Sequence, residues 1–263
     1  RRRRVARTEL GGSLLIGNMA DAPELWQKTD RAEPKKIIAE FIGSLLFMFI
    51  GGACSANSTH FGDDGMGIVV AALGNGFTLA VCVYCTCKIS GGHLNPAVST
   101  GFVACGLPNF RTGSYIGYVI AQLTGAAVGA ILLFICMPAA ALEAHHGHGA
   151  FATLGMLSLR HPMAVFFSEF FSTFFMVFTV FGVVHSYNCA SVGPLAIGLA
   201  LACACFGFYP YTGSCFNPAR TLAPILVFGV GKYPWVYTLQ LIAQTLGGFF
   251  AGKIFQRAFL LKR

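Results

Sequence analysis

The stretch Ser90-Gly91-Gly92-His93-Leu94-Asn95-Pro96-Ala97-Val98 returns in altered form as Gly213-Ser214-Cys215-Phe216-Asn217-Pro218-Ala219-Arg220, so the tripeptide Asn-Pro-Ala occurs twice, 122 residues apart. Each copy follows a glycine-bearing turn and opens a short apolar segment, Asn95 to Gly106 and Asn217 to Phe228. Crossing a hydrocarbon core takes about 20 helical residues, so a segment of about a dozen reads as a half-helix. Proline suits the first helical turn, where its missing N–H leaves nothing unsatisfied, and asparagine suits the cap before it.

The surroundings of both motifs are membrane-like. The 263 residues are 55% hydrophobic and 11% charged, whereas about a quarter of a soluble domain is charged. Six further apolar runs are long enough to span: Ile37 to Asn57, Met66 to Cys87, Gly113 to Met137, Pro162 to His185, Val192 to Tyr209 and Tyr233 to Leu260. The expected architecture is an all-α membrane protein of six transmembrane helices and two re-entrant half-helices. Residues 1–36 form an N-terminal tail without the apolar core of a signal peptide, with a weakly amphipathic piece from Leu10 to Ile16. Residues 37–260 form the membrane domain, and 261–263 a short end.

The net charge of +8 does not call for a nucleic acid. Its excess sits in Arg1 to Arg4, Arg7, Lys35, Lys36, Lys253, Arg257, Lys262 and Arg263, which flank the apolar region and read as anchors near anionic lipid. With Lys88 and Arg111 they mark one side, and the loop with Asp63 and Asp64 marks the other, so both termini are expected in the cytoplasm. The membrane is the plasma membrane or that of an organelle. Asn57-Ser58-Thr59 would then be an outward-facing glycosylation sequon.

A shift of 122 residues also lays Gly76 on Gly198, Ala121-Gln122 on Ala243-Gln244 and Gly125 on Gly247; Glu40-Phe41 matches Glu169-Phe170 at a slightly different offset. Three spans per half is an odd number. The halves, about 37–137 and 162–260, must therefore be inverted relative to one another, their half-helices meeting near the bilayer midplane.

With paired motifs between six spans and arginine directly after the second, the chain resembles the aquaporin (major intrinsic protein) family over residues 37 to 260. The resemblance implies a passive water channel that excludes protons and ions, and a homotetramer with one pore per subunit. Its pore motifs fall on Asn95, Pro96, Ala97, Asn217, Pro218 and Ala219. Its narrow filter falls on Asn75, Cys205, Ser214 and Arg220. Water-selective relatives carry an aromatic and a histidine where this chain has Asn75 and Cys205, which leaves more room; Gln240 and Leu241 also replace an aromatic pair. Thr221 and the short stretch from Asn217 to Tyr233 speak against a glycerol channel. Water is the expected permeant, with glycerol, urea or ammonia as the alternative cargo. A secondary transporter or a structural membrane protein is the rival reading.

The residues give this implication a physical basis. Two helix N-termini facing each other place partial positive charge at the membrane centre, which repels cations. The amides of Asn95 and Asn217 can donate to a passing water and break a proton wire, while their oxygens cap the half-helices. Arg220 is the basic residue deep in apolar sequence, where an unpaired charge costs at least ~2.5–3.5 kcal/mol, so a polar site must receive it. Non-helical backbone at membrane depth must be buried or face water. The carbonyls of Gly91, Gly92, His93, Leu94, Gly213, Cys215 and Phe216 are therefore candidate water acceptors.

Glu40 and Glu169 are the acidic residues within spans, and their repeat symmetry points to accepting hydrogen bonds from the re-entrant segments rather than to proton relay. His93 is a packed loop residue or a pH element beside the pore. His145, His146 and His148 cluster in a loop without metal-ligand spacing. The cysteines Cys54, Cys82, Cys85, Cys87, Cys105, Cys136, Cys189, Cys203 and Cys205 read as small core residues. Cys205, or else Cys215, would be the target of mercurial inhibition. The phenylalanines from Phe166 to Phe178 read as a lipid-contact and packing stripe. No metal or other cofactor and no catalytic triad is indicated, so an enzyme is not expected.

Overall fold

The computed structural model describes residues 33–58, 65–107, 110, 112–137, 161–185, 192–228 and 234–260. Arg1 to Arg4, Arg7, Leu10 to Ile16, Thr59, Asp63, Asp64, Arg111, His145, His146, His148, Cys189, Lys262 and Arg263 lie outside them.

Among the described residues, eight helices follow in chain order. They are α1 (Pro34–Asn57), α2 (Met66–Ser90), α3 (Pro96–Cys105), α4 (Thr112–Cys136), α5 (Pro162–His185), α6 (Gly193–Thr212), α7 (Pro218–Phe228) and α8 (Pro234–Phe255). Five of them, α1, α2, α4, α5 and α6, are long and apolar enough to cross a membrane. The 22 residues of α8 are more polar, yet at about 1.5 Å per residue they too exceed a ~30 Å hydrocarbon core. The short helices α3 and α7 begin at the two prolines, as half-helices should.

Three features depart from the sequence expectation. The second span runs on to Ser90 instead of stopping at Cys87. The fifth span continues through Pro210 to Thr212 instead of stopping at Tyr209. A proline so near a helix end forfeits one backbone bond only, and Gly213 N–H closes the last turn on the Tyr209 carbonyl at 3.0 Å. In α1 the residues Phe47–Gly51 form a widened π-turn, which composition does not foretell.

The packing follows the duplication. Helices α2 and α6 cross on the internal two-fold, where a Cβ on Gly76 would stand 2.7 Å from the Gly198 carbonyl oxygen and one on Gly198 would strike the Gly76 carbonyl. Gly125 of α4 lies against the Phe41 carbonyl of α1, and Gly247 of α8 repeats this against Phe170 of α5. With no hydrophobic drive between helices in lipid, such small-residue contacts let backbones approach and gain dispersion energy. Each half-helix is wedged beneath the other repeat's last helix, α3 on α8 and α7 on α4.

The outer surface is apolar. Phe167, Phe171 and Phe175 form an exposed row on α5, while Phe174 and Phe178 pack inward on the core. Three cysteines correct the sequence reading: Cys85, Cys136 and Cys203 are exposed on this surface, whereas Cys82, Cys105, Cys205 and Cys215 are buried. Helices in lipid are apolar all round, so periodicity could not separate the two faces. Every lysine and arginine among the described residues except Arg220 lies at the end of the bundle where α1 starts and α2 and α8 finish.

Candidate functional site

The segments entering α3 and α7 are held in a conformation that side chains resist. Leu94, Ser214 and Phe216 have φ of 50°, 49° and 48°, and Gly91, Gly92 and Gly213 have 95°, 61° and 81°. Left-handed backbone costs a non-glycine residue roughly 1–2 kcal/mol, so something must hold it. All six residues fall into pairs 122 apart, so the second loop repeats the first turn for turn.

Two buried carboxylates hold these loops. Glu40 Oε1 accepts from Ser90 Oγ at 2.6 Å and His93 N at 2.9 Å, and its Oε2 from Leu94 N and Gln122 Nε2, both at 2.7 Å. Glu169 accepts from Thr212 Oγ1 at 2.7 Å, Cys215 N at 3.4 Å, Phe216 N at 3.0 Å and Gln244 Nε2 at 2.8 Å. Gln122 also donates to Ser99 Oγ at 3.1 Å and Gln244 to Thr221 Oγ1 at 3.0 Å. From sequence Gln122 and Gln244 stood out only as a repeat match and Thr221 only for its bearing on glycerol; none of the serine, threonine and glutamine partners was given this role, although Ser90/Thr212, Ser99/Thr221 and Gln122/Gln244 are all polar pairs at the 122-residue offset.

This anchoring orients the carbonyls. In a trans peptide the C=O of one residue points opposite to the N–H of the next. With His93 and Leu94 N–H turned to Glu40, the Gly92 and His93 carbonyls face away from it, and with Cys215 and Phe216 N–H turned to Glu169, so do those of Ser214 and Cys215. Gly92, His93 and Cys215 line a cavity with Asn95 and Asn217, and the rest of its lining is apolar, made of Phe47, Leu79, Val83, Val98, Met176, Val180, Ile197 and Leu201.

The two motif asparagines cross over. Asn95 Oδ1 caps α3 by accepting from Ala97 N at 2.8 Å, and its Nδ2 donates to the Phe216 carbonyl at 3.0 Å. Asn217 Oδ1 accepts from Ala219 N at 2.9 Å, and its Nδ2 donates to the Leu94 carbonyl at 2.9 Å. The Leu94 and Phe216 carbonyls, expected from sequence to accept from water, also accept from the asparagines that lock the half-helices together, and each has a second lone pair. Each amide keeps its second N–H. Gly91 and Gly213 sit at the left-handed ends of α2 and α6.

His93 donates its backbone N–H to Glu40 while its ring is boxed by Phe102, Phe110 and Tyr118 at centroid distances of 4.2, 4.8 and 5.1 Å, with Nδ1 3.1 Å from Ser99 Oγ. This is the packed arrangement of the two that the sequence left open.

Asn75, Cys205, Ser214 and Arg220 are all buried. Arg220 Nη2 donates to Ser55 Oγ at 2.6 Å and its Nη1 to Cys215 Sγ at 3.2 Å. Asn75 Nδ2 reaches the same Ser55 oxygen at 2.9 Å, and Cys205 Sγ lies 4.0 Å from the Ser214 carbonyl. Among the described residues no carboxylate pairs with Arg220; the ion pairs join Lys35 and Lys36 to Glu33. Neutral dipoles therefore hold its charge. Ser55 carries no motif and was missed by sequence reasoning, while the described residues contain no cluster of metal-ligating side chains.

Comparison with known proteins identifies the family. The family model described as "Major intrinsic protein" matches residues 27–255. The chain is 32% identical to the probable aquaporin TIP-type RB7-5A of Nicotiana tabacum over 96% of this chain and 94% of the relative. It is 35% identical to aquaporin Z of Bradyrhizobium diazoefficiens over 84% and 92%, respectively. Its fold is similar to that of the aquaglyceroporin from Plasmodium falciparum, with a TM-score of 0.71 at 24% identity, covering 86% of this chain and 96% of that one. The chain belongs to the major intrinsic protein family, and is a multi-pass membrane channel and not an enzyme.

Proposed function

We propose that this channel conducts water passively and excludes protons and ions. The observation that carries this reading is the crossed pair of asparagine amides, each capping one half-helix and bonded to the loop of the other. Two helix N-termini are thereby fixed cap to cap with their partial positive charges together, which opposes cation passage. The remaining N–H of each asparagine donates to a water oxygen, so that water cannot accept from its neighbours. The carbonyls of Gly92, His93 and Cys215 supply acceptors in the cavity, and its apolar lining keeps water in a single file. Arg220 adds a second positive barrier, with Asn75, Cys205 and Ser214 completing the filter. The protein works as a homotetramer with one pore per subunit. The clustering of basic residues at one end supports a cytoplasmic position for both termini.

Stopped-flow swelling of proteoliposomes tests the reading. Osmotic water flux should be unsaturable, have a low activation energy and leave an imposed pH gradient standing. Rates equal to those of empty liposomes would sink it.

A second reading, in which small neutral solutes such as urea, glycerol or ammonia also pass, draws on Asn75. Its carboxamide is bonded to Ser55 on α1, and neither it nor Cys205 has the bulk of an aromatic or a histidine. Swelling in urea and glycerol gradients decides between the two.

A further inference from the structure

We propose that Ser55 is a positioning residue of the filter: its hydroxyl holds the Arg220 guanidinium and the Asn75 carboxamide to the wall of α1, and this attachment sets how readily a solute larger than water passes. The inference rests on the channel reading above for its consequence, though not for its geometry.

Hydroxyl side chains in apolar helices commonly satisfy themselves on a carbonyl one turn back. Thr78, Thr86 and Ser168 do so here, on Gly74, Cys82 and Ala164 at 2.6–2.7 Å. Ser55 does not. Its oxygen accepts from Arg220 Nη2 at 2.6 Å and Asn75 Nδ2 at 2.9 Å, groups 165 and 20 residues away on α7 and α2. A hydroxyl has two acceptor lone pairs, and both are used on filter residues.

The site around Ser55 is built for this. Its side chain is fully buried. Its carbonyl accepts from Ser58 Oγ at 2.6 Å and Tyr209 Oη at 3.1 Å, and those two hydroxyls lie 2.9 Å apart, so α6 braces the last turn of α1. One turn earlier Gly51 has no side chain, and a Cβ there would come within 2.9 Å of Asn75 Oδ1. The glycine makes the space into which the carboxamide folds.

Among the described residues Arg220 has two side-chain acceptors, Ser55 Oγ and the weakly accepting Cys215 sulfur, and no carboxylate partner. Without the hydroxyl, the guanidinium keeps the sulfur of these two and turns toward water in the channel. That narrows the passage, and a bulkier solute feels the change more than water does.

The test compares Ser55→Ala, Ser55→Thr, Arg220→Ala and the Ser55→Ala/Arg220→Ala double variant in proteoliposomes, with urea and water permeability measured on the same preparation. In Ser55→Ala the urea-to-water ratio should fall about fivefold, the scale of one lost hydrogen bond. Ser55→Thr, which keeps the hydroxyl, should restore it, and in the Arg220→Ala background, where Asn75 alone remains attached, the Ser55 substitution should change the ratio much less. An unchanged or raised ratio in Ser55→Ala overturns the proposal, as does a fall of the same size without Arg220. A structure of Ser55→Ala in nanodiscs gives a readout independent of flux: the guanidinium should leave α1, and finding it in its present place refutes the positioning role. If the wild type passes neither water nor urea, the channel reading fails by itself, while that structure still decides the role of Ser55.

Discussion

Asn95 donates to the Phe216 carbonyl at 3.0 Å as its counterpart Asn217 donates to the Leu94 carbonyl at 2.9 Å, so each half-helix is clamped to the loop that leads into the other. The acceptors are the left-handed residues of the two loops. The motif thereby joins three tasks in one side chain: a helix cap, a clamp across the two-fold and a donor toward the cavity.

Replacing one asparagine by aspartate separates these tasks. Asn95→Asp keeps the capping oxygen and loses both N–H groups, leaving the Phe216 carbonyl opposite a carboxylate. The loss should lower stability by about 1–3 kcal/mol, the cost of an orphaned buried acceptor, and cut water flux. Thermal unfolding in detergent measures the first effect and proteoliposome swelling the second. Asn217→Asp should behave alike because the bond it breaks is the symmetric one; a variant as stable as the wild type would remove the clamp from the account.

Glu40→Gln distinguishes a structural anchor from a proton relay. All four partners of Glu40 are groups able to donate, two backbone amides, a serine hydroxyl and a glutamine amide. A glutamine presents an NH2 group to one pair of them; the Ser90 hydroxyl or a turned Gln122 amide can accept from it, but the backbone N–H of His93 or Leu94 cannot, so one buried donor faces a donor. The expected cost is about 1–3 kcal/mol, from one unsatisfied buried donor, read as a lower melting temperature and reduced yield of folded protein. Normal stability with altered proton permeability would favour the relay.

The duplicated features were legible because duplication prints every structural need twice. Gly76/Gly198, Glu40/Glu169 and the two motifs each recur near one offset, and each pair proves to make equivalent contacts. Ser55 has no such counterpart: Val184 stands at the 129-residue offset that relates Glu40 to Glu169, and a lone serine in an apolar helix looks like any small residue. Its partners are Asn75 and Arg220, and an approach between side chains 165 residues apart leaves no local pattern. The asparagine partners of the Leu94 and Phe216 carbonyls escaped for a related reason: sequence indicates that the backbone is non-helical, but the donors come from the opposite half-helix, Asn217 and Asn95, more than a hundred residues away.

Mercurial inhibition should map to Cys215. Sequence alone favoured Cys205, but Cys215 lines the cavity and touches the Arg220 guanidinium, whereas the Cys205 sulfur is directed to the Ser214 carbonyl at 4.0 Å. A soft metal entering the channel meets the first thiol before the second. Cys215→Ser should retain most water flux after mercuric chloride, while Cys205→Ser stays sensitive; the opposite result would return the assignment to Cys205.

Asn75→Phe tests the aperture itself. The carboxamide now lies against α1, donating to Ser55 Oγ and to the Ala71 carbonyl at 2.8 Å, beside the bare backbone of Gly51. A phenyl ring makes neither bond and is larger than the space Gly51 leaves, so it projects toward Arg220 and narrows the filter. Urea and glycerol permeability should drop by about tenfold or more, on the scale of one lost hydrogen bond plus an overpacking penalty of ~1–3 kcal/mol, and water permeability by much less. The ratio of solute to water flux is the quantity to read, because a loss of folded protein lowers both rates equally. Equal suppression at normal protein content would mean that Asn75 does not border the constriction.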